Sequence, residues 1–287
     1  MRKTLIYAVV FVVGFIAVSL WSFWLITHPP KIIIGATPVD YGLKYEDVEL
    51  KTEDGLKLAA WFIPLEVRAV LIPTSAIILI HGYPAEKADL LPLAKILSAN
   101  YSILLFDLRS FGKSEGKYTT LGKTELLDLD AALDWLENGG YNKNGIFGFS
   151  LGGAVAIMKA AEDPRIAAIA AYAPFADLKL LGYDAYKNLW ILKYPLVELL
   201  SLWTKLFFDY DIAALSPEKA ATRLQIPIFL FHQKQDVQIP LEHALRLKAA
   251  LSQNPRAQFD FPETGSHGDF PFDFGQTLLK FFKKSLK

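Results

Sequence analysis

The sequence predicts an α/β architecture: a mostly parallel twisted sheet with helices on both faces, preceded by one N-terminal helix of membrane length. Three observations lead there. Strand-like apolar runs alternate with helix-like segments over most of the 287 residues, the pattern of a parallel sheet joined by crossover helices. Thr4 to Ile26 runs for 23 residues without one charge. Gly148-Phe149-Ser150-Leu151-Gly152 fits G-x-S-x-G, the spacing that sets a serine on a sharp strand-to-helix turn.

At 1.5 Å per residue the uncharged run spans about 34 Å as a helix, against about 30 Å for a bilayer core. Trp21 and Trp24 lie near its far end, where aromatic belts form, and His28-Pro29-Pro30 stops it. A cleavable signal would have an apolar region of about 7 to 15 residues closed by a small-x-small site. This run is longer and ends Trp-Leu-Ile-Thr-His, so residues 1–30 read as a retained anchor. A cleaved signal and a buried core helix are the alternatives. Arg2 and Lys3 ahead of the span favour a cytoplasmic N-terminus and an extracytoplasmic remainder, with Lys31 pulling weakly the other way.

Residues 31–287 suit one α/β domain with a single core. Lys31 to Pro38 reads as a linker. Strands are expected at Glu46–Leu50 and Leu56–Ile63, joined by a turn at Glu53-Asp54-Gly55, and then at Ala76–Ile80 and Ser102–Phe106. A helix is expected over Ala88–Ala99. Leu121–Asn138 is the clearest one, with Leu126, Leu129, Leu133 and Leu136 in one stripe. The strand ending at Ser150, its helix, and strands Ile166–Ala171, Ile226–Phe231 and Gln258–Phe261 follow. Helices over Leu241–Leu251 and Phe272–Leu286 complete the alternation.

Residues 178–217 break this rhythm. No strand appears there, and eight aromatics crowd positions 178–210, Trp190 and Trp203 among them. So long a connection is improbable as a plain loop. It reads as a helical cap whose rings wall an apolar cleft, rather than as an ordinary pair of packing helices. Thirty basic and thirty acidic side chains give no net field to draw nucleic acid. With no cysteine the chain has no disulfide or thiolate metal site, and no histidine or carboxylate cluster has ligand spacing, so no metal or other cofactor is expected.

A serine hydroxyl needs a base, and the base needs an orienting group. Of the five histidines, His28 ends the span. His81 sits in a turn where its backbone matters more than its ring. His232 ends a strand in a structural position, and His243 lies in a charged helix expected to face solvent. His267 occupies a Gly-flanked loop after the last strand, at the end of the sheet where open parallel folds build their sites. It is the expected base. Asp236 follows strand Ile226–Phe231 and falls between serine and histidine in chain order, which makes it the expected acid over Asp209, Asp211 and Asp269. Oxyanion donors are expected at the backbone N–H groups of Leu151, opening the helix after the serine, and Tyr83, in the turn after Ala76–Ile80.

These motifs together resemble the α/β-hydrolases. The resemblance runs from about Tyr45 onward and rests on His81-Gly82-Tyr83, Asp107 to Ser114, Gly148 to Gly153, Asp236 with Ile239-Pro240, and Gly265-Ser266-His267. Ser110 stands where that family often has Gly, and His232-Gln233 replaces the common His-Gly. The resemblance implies acylation of Ser150 and release of the acid by water activated at His267. The expected function is a membrane-anchored serine hydrolase of carboxylic esters, with apolar or lipid-like substrates. A serine peptidase, a thioesterase or an acyltransferase would use the same three residues, and a non-catalytic receptor would not need all of them. Every triad residue lies beyond residue 30, so the anchor reads as separable from the chemistry.

Overall fold

The computed structural model describes residues 1–65 and 75–286. It opens with α1 (Arg2–Thr27), then the antiparallel pair β1 (Glu46–Lys51) and β2 (Lys57–Ile63). Next come β3 (Ser75–Ile80), α2 (Leu91–Leu97), β4 (Ser102–Phe106), α3 (Glu125–Asn138), β5 (Lys143–Phe149), α4 (Leu151–Ala160) and β6 (Ile166–Tyr172). Three helices follow before the next strand: α5 (Leu178–Ala185), α6 (Lys193–Phe208) and α7 (Pro217–Ala221). The chain then alternates β7 (Ile228–Phe231), α8 (Leu241–Ala250), β8 (Ala257–Asp260) and α9 (Phe274–Ser285).

All eight strands join one sheet in the order β1-β2-β4-β3-β5-β6-β7-β8. Only β1–β2 and β2–β4 are antiparallel. The chain leaves β3 for β4 on one side and returns to β5 on the other. Connections therefore diverge at the carboxyl ends of β3 and β5, the switch point where open parallel sheets leave a crevice. The central strands are buried on both faces and accordingly read as unbroken apolar runs, such as Ala76–Ile80. One face packs on α3, α4 and α8, with Leu129, Leu133 and Leu136 inaccessible as their spacing predicts. The other packs on α2 and α9 through Leu91, Ala94, Phe274, Leu278 and Phe282.

Two helices start later than their apolar periodicity suggests. Before α3, Leu121 and Gly122 take φ values of 57° and 129°. The Glu125 carboxylate folds back to accept hydrogen bonds from Thr119, Thr120 and the Gly122 N–H, so those residues build a turn instead. Before α2, Lys87–Leu90 is a tight 3-10 turn, and Pro92 sits in the first turn of the helix, where its missing N–H is harmless.

His243 corrects an expectation, for its side chain is wholly buried. Its Nδ1 accepts the Ala176 N–H at 2.9 Å and its Nε2 faces Asp184 at 3.1 Å. The ring of His81 also matters: Nε2 accepts the Leu108 N–H at 3.0 Å, and Nδ1 donates to the Gly82 carbonyl at 2.7 Å. In both rings one nitrogen accepts a backbone N–H, so a second proton would set donor against donor. Burial, the largest cause, holds His81, His232 and His243 below their ordinary pKa.

The unfolded chain takes up protons at these rings near pH 6.5, while the folded one resists. Their stabilisation is therefore complete above about pH 6.5 and drains away as the pH falls below it. Thermal melts should give a midpoint that declines from pH 7.5 to pH 5.5. His243→Gln should melt lower at pH 7.5 but with a shallower decline. Parallel declines would show that His243 is not held neutral.

Candidate active site

Ser150 lies between β5 and α4 at φ 52°, ψ −112°, a conformation that costs a non-glycine residue about 1–3 kcal/mol. Its N–H donates to the Tyr172 carbonyl at 2.8 Å, and its own carbonyl accepts the Ala154 N–H at 3.1 Å. The surrounding glycines are required by contact distance. A Cβ on Gly148 would meet the Gly152 carbonyl oxygen at 2.3 Å, and one on Gly152 the Ile80 carbonyl oxygen at 2.5 Å. On Gly82 it would meet the Phe149 ring at 2.8 Å and the Ser150 Cβ at 3.1 Å. The G-x-S-x-G spacing thus lets α4 lean onto the end of β3 while the serine side chain is pushed out.

His267 sits in the loop between β8 and α9, with its ring 4.8 Å from the Phe149 ring between centroids. Its Nδ1 donates to Asp236 Oδ2 at 2.6 Å, which leaves Nε2 as the lone-pair nitrogen of the neutral ring. Asp236 follows β7 and its carboxylate is fully buried. The other oxygen accepts the N–H groups of Gln238 and Ile239, both at 2.9 Å. Burial pushes this carboxyl up, yet the hydrogen bonds from His267 and the Ile239 N–H outweigh it, and the pKa lies below its ordinary value. The other acids are occupied elsewhere. Asp269 accepts the Ser266 N–H, Asp211 caps Ala213, and Asp209 ends α6 in a left-handed turn.

Ser150 and His267 line one cavity of about 340 Å³, together with Tyr83 and Leu151. The rest of its wall is largely apolar, with Phe175, Leu178, Leu181, Val197, Leu200 and Ile239, and among the described residues it includes no carboxylate. Tyr186 and Tyr210 are the aromatics that α5 to α7 and their connections contribute. The expectation that Trp190 and Trp203 wall the cleft is corrected. Trp190 is 78% exposed, and the Trp203 indole donates to Ser19 Oγ of α1 at 3.0 Å. Among the described residues, no group of three or more His, Cys, Asp or Glu is placed to hold a metal ion.

Three features escaped the sequence. Phe23, Ile26 and Thr27, at the end of α1, form part of the cavity wall. Gln233 fills the place of the usual glycine: its Oε1 accepts the Tyr172 hydroxyl at 2.8 Å and its amide donates to the Asp269 carbonyl. Gly265 is at φ 113°, and a Cβ there would strike the Gln233 amide at 2.5 Å, so this pair fixes the loop carrying His267. The departure from His-Gly was its only signal. Behind the His81 turn, Lys87 is buried against Asp107, Nζ to Oδ2 2.5 Å, and lies 4.5 Å over the Trp61 ring. The Asp107 carboxylate also accepts the N–H groups of Lys87 and Lys113, which satisfies a charge that would otherwise be costly to bury.

An eight-stranded, mostly parallel sheet with a serine elbow and a His–Asp pair at its carboxyl end defines a protein of the hydrolase-type α/β class. The model of the Alpha/beta hydrolase family matches residues 77–274, and the chain belongs to that family. The uncharacterized protein YfhR of Escherichia coli O157:H7 is 28% identical over 254 residues, covering 84% of this chain and 78% of its own length. The α/β hydrolase domain-containing protein WAV2 of Arabidopsis thaliana is 28% identical over 266 residues, covering 86% of this chain and 82% of its own. Among solved structures, the esterase Pf2001 of Pyrococcus furiosus superposes with a TM-score of 0.75 at 27% identity. It covers 91% of this chain and 99% of its own. An acylaminoacyl peptidase of Pyrococcus horikoshii has a TM-score of 0.65 at 17% identity, covering 85% of this chain and 42% of its own, a likeness of fold alone.

The contacts at Gly152 reverse a usual rule. Gly→Ala inside a helix ordinarily stabilises by about 1 kcal/mol. Here Gly152→Ala should destabilise by about 2 kcal/mol or more in urea unfolding, because the new methyl meets backbone rather than a flexible side chain. A stabilised variant would show that α4 does not lean on β3 so closely.

Proposed function

We propose that this hydrolase is a membrane-anchored serine esterase acting on carboxylic esters with apolar, lipid-like acyl groups. The observation that carries the reading is one cavity, apolar over most of its wall, with an elbow serine and a carboxylate-held histidine in its lining. Ser150 Oγ attacks the ester carbonyl as His267 Nε2 takes its proton. The Asp236 carboxylate holds Nδ1–H and stabilises the imidazolium that forms. The negative charge developing on the carbonyl oxygen faces the N–H groups of Tyr83 and Leu151, the latter at the N-terminus of α4, whose dipole favours it. Collapse breaks the C–O bond to the leaving group, which departs as an alcohol with the proton from His267. Water then attacks the acyl-serine, His267 accepts its proton and returns it to Ser150, and the acid is released.

The apolar lining supports an ester of a hydrocarbon acid, and among the described residues the wall has no carboxylate to hold a free α-amino group, which favours esterase over aminopeptidase chemistry. The anchor is α1, the one described helix long and apolar enough to cross a membrane, with mean hydropathy 2.4 over its apolar window. Arg2 and Lys3 favour a cytoplasmic N-terminus with the catalytic domain on the other side. The helices between β6 and β7, residues 178–217, act as the cap.

A fluorophosphonate probe should label Ser150 in the full chain and fail on Ser150→Ala, whose esterase activity should drop by several orders of magnitude. Labelling elsewhere overturns the assignment. Asp236→Asn should lower turnover by up to about 10⁴, because the wrong imidazole tautomer is then favoured, while Asp269→Asn stays near wild type. A crippling Asp269→Asn would move the orienting role there. p-Nitrophenyl esters of rising acyl length, run beside aminoacyl amides, should show preference for medium or long esters; faster amide cleavage would favour the peptidase.

A further inference from the structure

The end of α1 does not swing free of the catalytic domain. Its buried and half-buried residues, Phe15, Ser19, Phe23 and Thr27 with Ser22 and Ile26 beside them, form one stripe at helical spacing. Phe23 stacks on Phe207 at 5.6 Å and meets Phe208 at 5.3 Å, and the Trp203 indole donates to Ser19. At the helix end the Thr27 carbonyl accepts the Thr119 N–H at 2.8 Å, and the Trp24 and His28 rings stack at 3.5 Å. The next residues stay attached: Lys31 Nζ donates to the Ser114 carbonyl at 2.5 Å and the Ile34 N–H to the Glu86 carboxylate. The helix is thus a docked element, and Phe23, Ile26 and Thr27 face the cavity that holds Ser150.

Length then sets a constraint. α1 has 26 residues, about 39 Å, but only residues 2–14, about 20 Å, precede the docked stripe. A bilayer core is about 30 Å thick, so the free part cannot cross it alone, and tilting increases the shortfall. To span, roughly 10 Å of the docked half must also lie in hydrocarbon, and whatever is packed beside it goes along. Beside it lies α6. Pro195, Leu199, Leu202 and Leu206, at i, i+4, i+7 and i+11, form an apolar row on the flank next to its α1 contacts. Leu202 and Leu206 are 44% and 63% exposed, and the Glu198 carboxylate that flanks the row one turn before Leu202 is paired with Lys179 and Tyr183 of α5. Three hydroxyls along the contact already have partners. Ser19 Oγ donates to the Ile16 carbonyl, Thr27 Oγ1 to the Phe23 carbonyl, and Thr204 Oγ1 to the Ser201 carbonyl, as hydrocarbon requires.

We propose that the α6 row is seated in the near leaflet of a bilayer beside α1, and that acyl chains reach Ser150 along the wall made by Phe23, Ile26 and Thr27. The seating rests on the anchor reading of α1, and the acyl path rests on the esterase reading. Substrate is then drawn from lipid rather than from water, and α1 belongs to the acyl site itself.

The chain has no cysteine, so single cysteines can be introduced and labelled cleanly. Full-length Val10→Cys, Leu202→Cys, Leu206→Cys and Lys248→Cys, each carrying an environment-sensitive fluorophore, are placed in phosphatidylcholine vesicles containing acyl-chain quenchers. Labels at 10, 202 and 206 should blue-shift, be quenched by the lipid and lose iodide quenching, while the label at 248 stays in water. Lipid contact at 10 with iodide access at 202 and 206 overturns the seating, as does label-to-label crosslinking at 202 without lipid quenching, which assigns the face to a second copy. Iodide access at 10 as well overturns the anchor and this inference with it. Ile26→Trp and Ile26→Ala supply the catalytic arm. The tryptophan should lower kcat/KM for a long-chain ester at least about tenfold more than for acetyl ester, by filling the acyl path. An equal loss on both esters overturns the wall. Loss of Ser150 labelling in wild type would remove the esterase reading while leaving the vesicle result standing.

Discussion

The backbone at Ser150 is the constraint on which the rest depends. A non-glycine residue at φ 52° is unfavourable by itself, and it persists because three segments over-determine it. β5 delivers the chain, α4 carries it away so closely that Gly148 has no room for a Cβ, the end of β3 lies against Gly152, and Gly82 is pressed on Phe149 and Ser150. The turn in turn orders its neighbours. Phe149 is fixed beside it and supports the His267 ring, while the Ser150 N–H ties the elbow to the end of β6. Backbone geometry here sets where a side chain can act, and every other contact in the site is arranged around that point.

A second layer of interactions holds the histidine side of the cleft, and it is polar where the first is steric. Asp236 has each carboxylate oxygen occupied, one by two backbone N–H groups and the other by His267. Its loop and the His267 loop are joined through Gln233, Tyr172 and the Asp269 carbonyl. A buried carboxylate with fewer donors would be driven toward protonation; this one is held ionised despite burial. His232, 3.9 Å from Asp236, spends its Nε2 on the Ile239 carbonyl and so steadies the same loop from behind.

How much of this was legible follows from the range of each signal. The strand alternation, the elbow and the Ser-Asp-His order are local patterns, and the family match and the sheet agree with the fold they indicate. Where contacts depend on distant partners, the sequence was silent or misleading. His243 sits among charged residues in α8, yet it is buried because α8 turns that face toward Ala176 and Asp184. Trp190 and Trp203 looked like pocket walls because aromatic density marks burial in general; it does not say which cavity is faced. The Gln233–Gly265 contact and the Lys87–Asp107 pair each join residues 20 or more positions apart, beyond any periodicity.

The same reasoning explains why the sequence shows α1 as a segment apart and hides its contacts with the domain. A run of 23 uncharged residues satisfies the length of a bilayer, and that reading uses nothing beyond the run itself. Packing adds a second demand on the same residues, visible as Ser19, Phe23 and Thr27 at spacing four, each facing the catalytic domain. In a uniformly apolar helix such a stripe has no contrast, so periodicity cannot reveal it. Small polar side chains were the one available mark, since Ser19 and Thr27 stand out only against an apolar background. Both prove to be on the docked face, with their hydroxyls bonded to the carbonyl three or four residues back. One segment therefore carries two features at once, a length and apolarity that suit a bilayer and, at its inner end, part of the wall of the cavity that holds Ser150.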